Sequence, residues 1–212
     1  MIRIKKIKFL GKNFSDDLSR YFLRFFFKNK INKIILTGGT SAPPIYVKLM
    51  KKIKKLSFKS HIYLSDERLV GLKSKKLNAN LFKNYENNYT KFSPILLRGK
   101  SYSYSVLSYD KILPKFPSFI LLSMGSDGHI ASIFPQSKAL KSKKKVVLDR
   151  KVYNSFKRIS ITMNYLKNKK NIFILCKIKR LNIFNNLIKK KNSVLNFLFK
   201  TNPNFKLLII RN

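Results

Sequence analysis

The chain has 212 residues, 44% of them hydrophobic, and carries 47 Lys plus Arg against 8 Asp plus Glu, for a formal net charge of +39. This length fits one domain with a substantial apolar core, and the hydrophobic fraction excludes a disordered chain. The single cysteine excludes an internal disulfide framework and indicates a reducing compartment. No apolar run is long enough to span a bilayer, so we expect a cytoplasmic protein without a membrane partner.

The large positive charge is the usual footprint of a protein that binds nucleic acid or an anionic membrane. Here the lysines are spread along the whole chain, and they come with an excess of Asn, Ile, Phe and Tyr over Ala and Gly. No zinc-finger, RRM or KH pattern accompanies them. These features favour a compositional bias over a selected nucleic-acid surface. Nucleic acid is therefore not expected as a partner, and a basic binding protein on an enzyme scaffold stays as an alternative.

The amino-terminal segment predicts an edge strand followed by a helix. Residues 2–10 alternate apolar and basic side chains with period two, which is typical of a strand with one wet face, and Gly11 ends it. Ser15 is the predicted N-cap of the next helix. Asp16 and Asp17 then lie in its first turn, where carboxylates meet the positive end of the helix dipole.

The rest of the chain alternates strand patterns with helix patterns. Strands are predicted at "KIILTGG", "HIYLSDERLV", "FPSFILLSMG", "RISITM", "NIFILC" and "FKLLII", and helices at "APPIYVKLMKKIKKL", "KRLNIFNNLIKK" and "SVLNFLFK". "SDGHIASIF" is predicted to turn into a short helix, and residues 84–115 to be a mixture of loop and short elements. This order predicts one α/β domain over residues 1–212, with a mostly parallel sheet, helices on both faces and a Rossmann-like, doubly wound topology.

Three strands of this predicted sheet end in unusual residues, "TGGTS", "SDER" and "MGSDGH". Four of the seven glycines and three of the eight acids lie in these stretches. In open parallel sheets, ligands bind beyond the carboxyl ends of the strands, near the place where the strand order reverses. If the three strands are neighbours, their ends form one pocket.

Each stretch offers a different chemistry. "TGGTS" before a helix is either an ordinary structural turn or a cradle for an anion, since glycines let the backbone approach and the helix start presents free N–H groups. Arg68 of "SDER" either closes a loop as an ion pair or clamps a phosphate or carboxylate. His129 is either a core residue or a general base oriented by Asp127. His61 has no such neighbours in sequence and is assigned a structural role.

Together and in this order, "ILTGGTSAPPIY", "SDERLVGLKSKKLN" and "FILLSMGSDGHIASIFP" resemble the 6-phosphogluconolactonase family and its wider superfamily with glucosamine-6-phosphate deaminase. The resemblance runs from about Ile34 to Pro135 and continues more weakly in "RISITMNYL" and "IFILCKIKR". Arg68 stands where the deaminase pattern has tyrosine, and "ASIFP" lacks the deaminase's extra glutamate, so the lactonase is favoured. "RLVGL" and Ile130 are closer to the deaminase pattern, so the deaminase stays as the alternative.

The resemblance implies hydrolysis of 6-phospho-D-glucono-1,5-lactone to 6-phosphogluconate, the second step of the oxidative pentose phosphate pathway, by a monomer or homodimer without metal or cofactor. It implies a small sugar phosphate as the partner, His129 as general base and Asp127 as its orienting group. The catalytic residues are then His129, Asp127 and Arg68, and those that bind substrate or phosphate are Gly38, Gly39, Thr40, Ser41, Asp66, Arg158 and Arg180.

Three positions depart from the family pattern or align loosely with it. Ala42 stands where proline usually follows the glycine turn, and Leu77 stands where serine usually precedes the asparagine matched by Asn78. The family's late phosphate-binding lysine falls on Arg180, with Lys179 one position away. We therefore expect the fold to be preserved and turnover to be less efficient than in proteins that keep the family pattern.

Overall fold

The computed structural model describes residues 4–39, 42–97, 102–153 and 155–211. Within these ranges the strands form one seven-stranded and one three-stranded sheet. The strands are β1 (Lys5–Phe9), β2 (Lys33–Leu36), β3 (Ser60–Leu64), β4 (Asp66–Arg68), β5 (Thr90–Ser93), β6 (Phe119–Ser123), β7 (Val146–Tyr153), β8 (Phe156–Ile161), β9 (Ile172–Lys177) and β10 (Lys206–Ile210).

Seven α-helices lie between these strands in the described part of the chain. They are α1 (Phe14–Lys28), α2 (Pro43–Lys55), α3 (Ser103–Ile112), α4 (Lys138–Lys141), α5 (Met163–Leu166), α6 (Leu181–Lys189) and α7 (Val194–Thr201). None of the described helices is long and apolar enough to cross a membrane. Within the described part of residues 84–115, where the pattern predicts a mixture of loop and short elements, the structure has β5 and α3.

The large sheet has the strand order β1-β10-β9-β6-β2-β3-β5, and every neighbouring pair is parallel. The crossover from β2 through α2 to β3 runs toward the β5 edge, whereas the crossover from β9 through α6 and α7 to β10 runs toward the β1 edge. Because such crossovers are right-handed, they place α2 on one face and α6 with α7 on the other. The predicted doubly wound α/β fold is confirmed, and so is β1 as an edge strand.

The three-stranded sheet is antiparallel, with the order β4-β8-β7, and the sequence patterns did not predict it. "RISITM" does form most of a strand, but β8 pairs with β4 and β7 instead of joining the large sheet. β4 is part of the "SDER" stretch itself and follows β3 after Ser65 alone. "SDER" therefore links the two sheets, where the sequence indicated only a strand end.

The predicted N-cap of α1 at Ser15 is wrong. The helix begins at Phe14 after Asn13, whose backbone carbonyl accepts hydrogen bonds from the N–H groups of Asp16 and Asp17 at 2.9 and 3.1 Å. The turn that Gly11 opens, with Phe14 N–H donating to the Gly11 carbonyl at 3.1 Å, starts the helix earlier than the hydroxyl of Ser15 would. The two acids do lie in the first turn, as predicted.

An aromatic cluster joins α1 to the middle of the large sheet. The ring of Phe119 on β6 lies with its centroid 4.8 Å from that of Phe26, 5.1 Å from Phe22 and 4.9 Å from Phe173. All four side chains are fully buried. Burial of large aromatic surface is the main stabilising contribution available at such a contact, and edge-to-face pairs add to it.

We predict that Phe119→Ala lowers the free energy of unfolding by about 3–5 kcal/mol, because it removes the ring that all three neighbours contact. Urea denaturation monitored by circular dichroism measures this change. Phe116→Ala is the matched control, since Phe116 is 72% exposed and its loss should change stability by less than about 0.5 kcal/mol. Equal losses in the two variants would contradict the assignment of this core.

Candidate active site

The strand order of the large sheet reverses between β2 and β6, and β3 is the other neighbour of β2. The carboxyl ends of these three strands therefore meet, as the sequence predicted for sheet neighbours. A cavity of about 420 Å³ lies beyond them. Its lining comes from the turn after β2, from β4, β8 and the loop after β6, and from the residue that precedes α6.

The cavity brings together seven of the ten predicted site residues. Asp127 does not line the cavity but contacts His129, which does. Thr40 and Ser41 lie outside the described residues. The seven that line it are Gly38, Gly39, Asp66, Arg68, His129, Arg158 and Arg180.

His129 and Asp127 form a close pair. Nδ1 of His129 lies within hydrogen-bond distance of Asp127 Oδ1, and the same oxygen accepts the backbone N–H of His129 at 3.2 Å. Burial raises the pKa of Asp127, but the hydrogen bond and the charge of His129 outweigh it, so the pKa is lowered overall. An ionised carboxylate can only accept, which places the proton on Nδ1 and leaves Nε2 free to take one.

A glycine makes room for the imidazole ring. A Cβ at Gly125 would lie 2.1 Å from Cε1 of His129, which no real side chain tolerates. The Gly125 N–H donates to the carbonyl of His129 at 2.8 Å and closes the loop between them. The ring of Phe134 packs at a centroid distance of 4.2 Å. The orientation of His129 is therefore fixed by its loop and by an aromatic neighbour.

The short helix predicted for "SDGHIASIF" is wrong. This segment forms tight turns with isolated bridges between Met124 and Ile130 and between Ile130 and Ile133. Ala131 has a φ of 50°, in the left-handed region, which an α-helix does not allow. Ile130 and Ile133 are fully buried in consecutive turns, so tertiary packing overrides the local preference.

Asp66 connects the end of β3 to the loop after β6. Its Oδ1 accepts from the hydroxyl of Ser65 at 2.7 Å, and its Oδ2 accepts from the hydroxyl of Ser132 at 2.6 Å. The side chain is buried at the cavity wall. Each carboxylate oxygen has further lone pairs, so Asp66 can hold the wall and still accept a hydrogen bond from a ligand hydroxyl.

Two arginines lie side by side across the antiparallel sheet, because Arg68 of β4 is in register with Arg158 of β8. Arg68 donates to the carbonyl of Lys76 at 2.8 Å, and Arg158 donates to the carbonyl of Tyr153 at 3.2 Å. The Nε of each is buried and has no hydrogen-bond partner among the described residues. Burial lowers the pKa of Arg158, as does Arg68, while Asp66 and Glu67 oppose them. Unpaired buried donors of this kind favour an anionic ligand.

The structure distinguishes between Arg180 and Lys179, either of which could correspond to the late phosphate-binding lysine of the family. Arg180 lines the cavity and donates to the carbonyl of Met124 at 2.7 Å. Lys179 is exposed to solvent and does not line the cavity. Arg180 is therefore the basic group that the cavity offers next to the turn after β6.

Sequence reasoning missed the role of Glu67. This carboxylate is fully buried and accepts the backbone N–H groups of Arg68, Asn78 and Ala79 at 2.8, 2.7 and 2.8 Å. Burial raises its pKa to about 7, although the three N–H donors favour the charged form. The position of Glu67 inside "SDER" was visible in the sequence, but its partners eleven and twelve residues later were not.

The contacts of Glu67 fix Asn78 at the cavity wall. The Asn78 amide donates to the carbonyl of Asp66 at 2.9 Å, and a Cβ at Gly38 would lie 2.0 Å from its Oδ1. The first glycine of "TGG" is thus required by this contact. The two departures from the family pattern lie elsewhere: Leu77 is buried in the core, and Ala42 is the buried residue that precedes Pro43 of α2.

Residues 10–193 match the sequence model of a family described as glucosamine-6-phosphate isomerases/6-phosphogluconolactonase. The chain belongs to this family. Within the described residues, no group of three or more His, Cys, Asp or Glu side chains is arranged to hold a metal ion.

Two curated relatives from this family are named 6-phosphogluconolactonase. The protein from Helicobacter pylori is 28% identical over 184 residues, which cover 82% of this chain and 79% of the relative. The protein from Borreliella burgdorferi is 32% identical over 165 residues, which cover 70% and 68%. The crystal structure of 6-phosphogluconolactonase from Thermotoga maritima superposes with a TM-score of 0.81 at 18% identity, covering 98% of this chain and all of that one, and so shares its fold.

We predict that Gly125→Ala lowers turnover by about 100-fold while leaving the fold intact, because the added Cβ displaces the ring of His129. Steady-state kinetics measure kcat, and the circular dichroism spectrum of the same preparation shows whether the variant is folded. Gly11→Ala serves as the control, since nothing lies within 4 Å of a Cβ at that position. An unchanged kcat in Gly125→Ala would show that the close packing is not needed.

We also predict a pH-dependent contribution of Glu67 to stability. Its folded pKa is raised from 4.5 to about 7, so the contribution is complete at pH values below the ordinary pKa and is lost as the pH rises through about 7. Urea denaturation of wild type and Glu67→Gln at about pH 5 and about pH 8 measures this. The stability difference between wild type and variant should fall from the lower to the higher pH, and parallel behaviour would contradict the prediction.

Proposed function

We propose that this protein hydrolyses 6-phospho-D-glucono-1,5-lactone to 6-phospho-D-gluconate, in the oxidative pentose phosphate pathway of the cytoplasm. The observation that carries the proposal is His129, held by Asp127, in one cavity with two arginines whose buried Nε atoms have no partner among the described residues. A base beside an anion site is what hydrolysis of a phosphorylated lactone requires. Family membership and the names of the two relatives support it.

In this proposal His129 acts as general base through Nε2. It takes a proton from water as the water oxygen attacks the lactone carbonyl carbon, and Asp127 holds the ring in the required tautomer. The tetrahedral intermediate then collapses, the bond between the carbonyl carbon and the ring oxygen breaks, and the proton held by His129 passes to that oxygen. The carbonyl oxygen, negative in the intermediate, is stabilised by Arg180 or by a backbone N–H of the turn that follows Gly125.

The phosphate would lie against the turn after β2 and the two arginines of the antiparallel sheet. Gly38 and Gly39 bring backbone into the cavity wall, and Arg68 and Arg158 supply planar donors suited to phosphate oxygens. Thr40 and Ser41 continue the same turn in sequence and are proposed to donate their hydroxyls. Asp66 is proposed to accept from a sugar hydroxyl. No cofactor enters these steps.

The whole chain is proposed to act as one lactonase domain, as a monomer or a homodimer, and the family match over residues 10–193 supports a single unit. The deaminase alternative is not favoured. The curated relatives reported above are lactonases, and Arg68 stands where the deaminase pattern has tyrosine.

The first test is the hydrolysis of freshly generated 6-phosphogluconolactone by wild type and His129→Ala, corrected for spontaneous ring opening. We expect wild type to accelerate the reaction and His129→Ala to lose about 100- to 10,000-fold, since that is the usual contribution of a general base. His61→Ala is the matched histidine control, because His61 contacts Ser93 and Tyr63 and does not line the cavity.

Two further substrates sharpen this test. Unphosphorylated gluconolactone should react poorly, because the arginines then have no anion to bind, and glucosamine 6-phosphate should not be deaminated. Equal rates on the two lactones would refute the phosphate requirement. Turnover of glucosamine 6-phosphate without lactone hydrolysis would replace the proposal with the deaminase reaction.

A further inference from the structure

A single lysine among the described residues lines the cavity, and sequence reasoning did not select it. Lys76 lies in the loop between β4 and the 3₁₀ turn at Asn78–Leu81, together with Lys73 and Lys75. All three lysines are exposed, but only Lys76 faces the cavity. In a chain with a formal charge of +39, the exposure of a lysine carries no information, whereas this placement distinguishes Lys76 from its two neighbours.

The backbone of Lys76 is held by groups of the site itself. Its carbonyl accepts from Arg68 at 2.8 Å, and its N–H donates to the hydroxyl of Ser74 at 3.2 Å. Asn78, two residues after Lys76, donates its backbone N–H to the carboxylate of Glu67 at 2.7 Å. The loop is thus anchored on both sides of Lys76, so a flexible side chain extends from a fixed backbone position.

The ring of Phe156 contacts the cations of both Lys76 and Arg158. The Lys76 Nζ lies 5.3 Å from the ring centroid, and the Arg158 Cζ lies 5.8 Å from the same centroid. Cation–π attraction favours each contact. No carboxylate among the described residues forms an ion pair with Lys76. The ammonium of Lys76 is therefore available to an anion in the cavity.

We propose that Lys76 is a specificity-determining residue of the proposed lactonase, whose ammonium binds the substrate phosphate beside Arg158. The inference rests on the proposed function for the identity of the ligand. Arg158 holds the anion from the buried side with a planar donor group, and Lys76 approaches from the solvent side as a mobile point charge. Because Lys76 would contact the phosphate in both ground state and transition state, it lowers KM and leaves kcat unchanged.

The test compares Lys76→Ala with Lys75→Ala, which removes the same charge from the same loop. With 6-phosphogluconolactone we expect KM to rise roughly 5- to 20-fold in Lys76→Ala at unchanged kcat, as for loss of a partly screened charge-assisted hydrogen bond. Lys75→Ala should match wild type, Lys76→Arg should restore most of the affinity, and unphosphorylated gluconolactone should not distinguish the variants. Equal effects in the two alanine variants, or an equal loss with the unphosphorylated lactone, would overturn the proposal.

Binding of 6-phosphogluconate by titration calorimetry separates this inference from the proposed function. If wild type fails to hydrolyse the lactone, the proposed function is refuted, but the phosphate site is still tested by the binding of this compound. Affinity that falls in Lys76→Ala and not in Lys75→Ala supports Lys76 as a phosphate ligand. The inference is wrong if both variants bind 6-phosphogluconate as tightly as wild type does. It is also wrong if Lys76→Ala weakens the binding of gluconate, which has the carboxylate but no phosphate, by the same factor as it weakens the binding of 6-phosphogluconate.

Discussion

Asp66 and Glu67, two buried carboxylates at adjacent positions of β4, connect the parts of the cavity wall. Neighbouring side chains of a strand point to opposite faces. Asp66 therefore reaches the hydroxyl of Ser132 in the loop after β6, while Glu67 reaches the N–H groups of Asn78 and Ala79. In a chain with so few acids, both of these carboxylates are buried and hydrogen-bonded, and such bonds are strong and costly to break. His129, the arginines and the glycine turn all depend on the segments that these two side chains hold.

The cavity and the rest of the surface differ in which basic residue they carry. Lysine far outnumbers arginine in this chain, yet the described residues that line the cavity include three arginines and a single lysine. The guanidinium group keeps its charge when it is buried and presents a rigid set of donors, whereas an ammonium group is more strongly hydrated and suits the solvent side. The position of these arginines indicates an anionic ligand in the cavity, which the overall composition alone does not locate.

The sequence predicted the parts of the structure that depend on local patterns. Period two in β1, helical spacing in α2 and the apolar runs of β6 and β9 were sufficient for a doubly wound parallel sheet, and the glycine and acid clusters marked its carboxyl edge. It did not predict the antiparallel sheet, because β4 pairs with β8 about ninety residues later in the chain. The error at Ala131 has the same origin, since burial of Ile130 and Ile133 decided the backbone there. Lys76 carried no local signal at all, and only the folded loop distinguishes it from Lys75.

The two sheets contribute different halves of the cavity. His129 follows a strand of the large sheet, whereas Arg68 and Arg158 belong to the antiparallel one, and Ser65 joins them by accepting the N–H of Ile161 at 2.9 Å. The cavity therefore lies along a seam between two separately hydrogen-bonded layers. A bound molecule long enough to touch both layers would act as a cross-link between them. The distance between the two layers would then favour molecules in which the anionic group and the reactive carbon are separated by a matching distance.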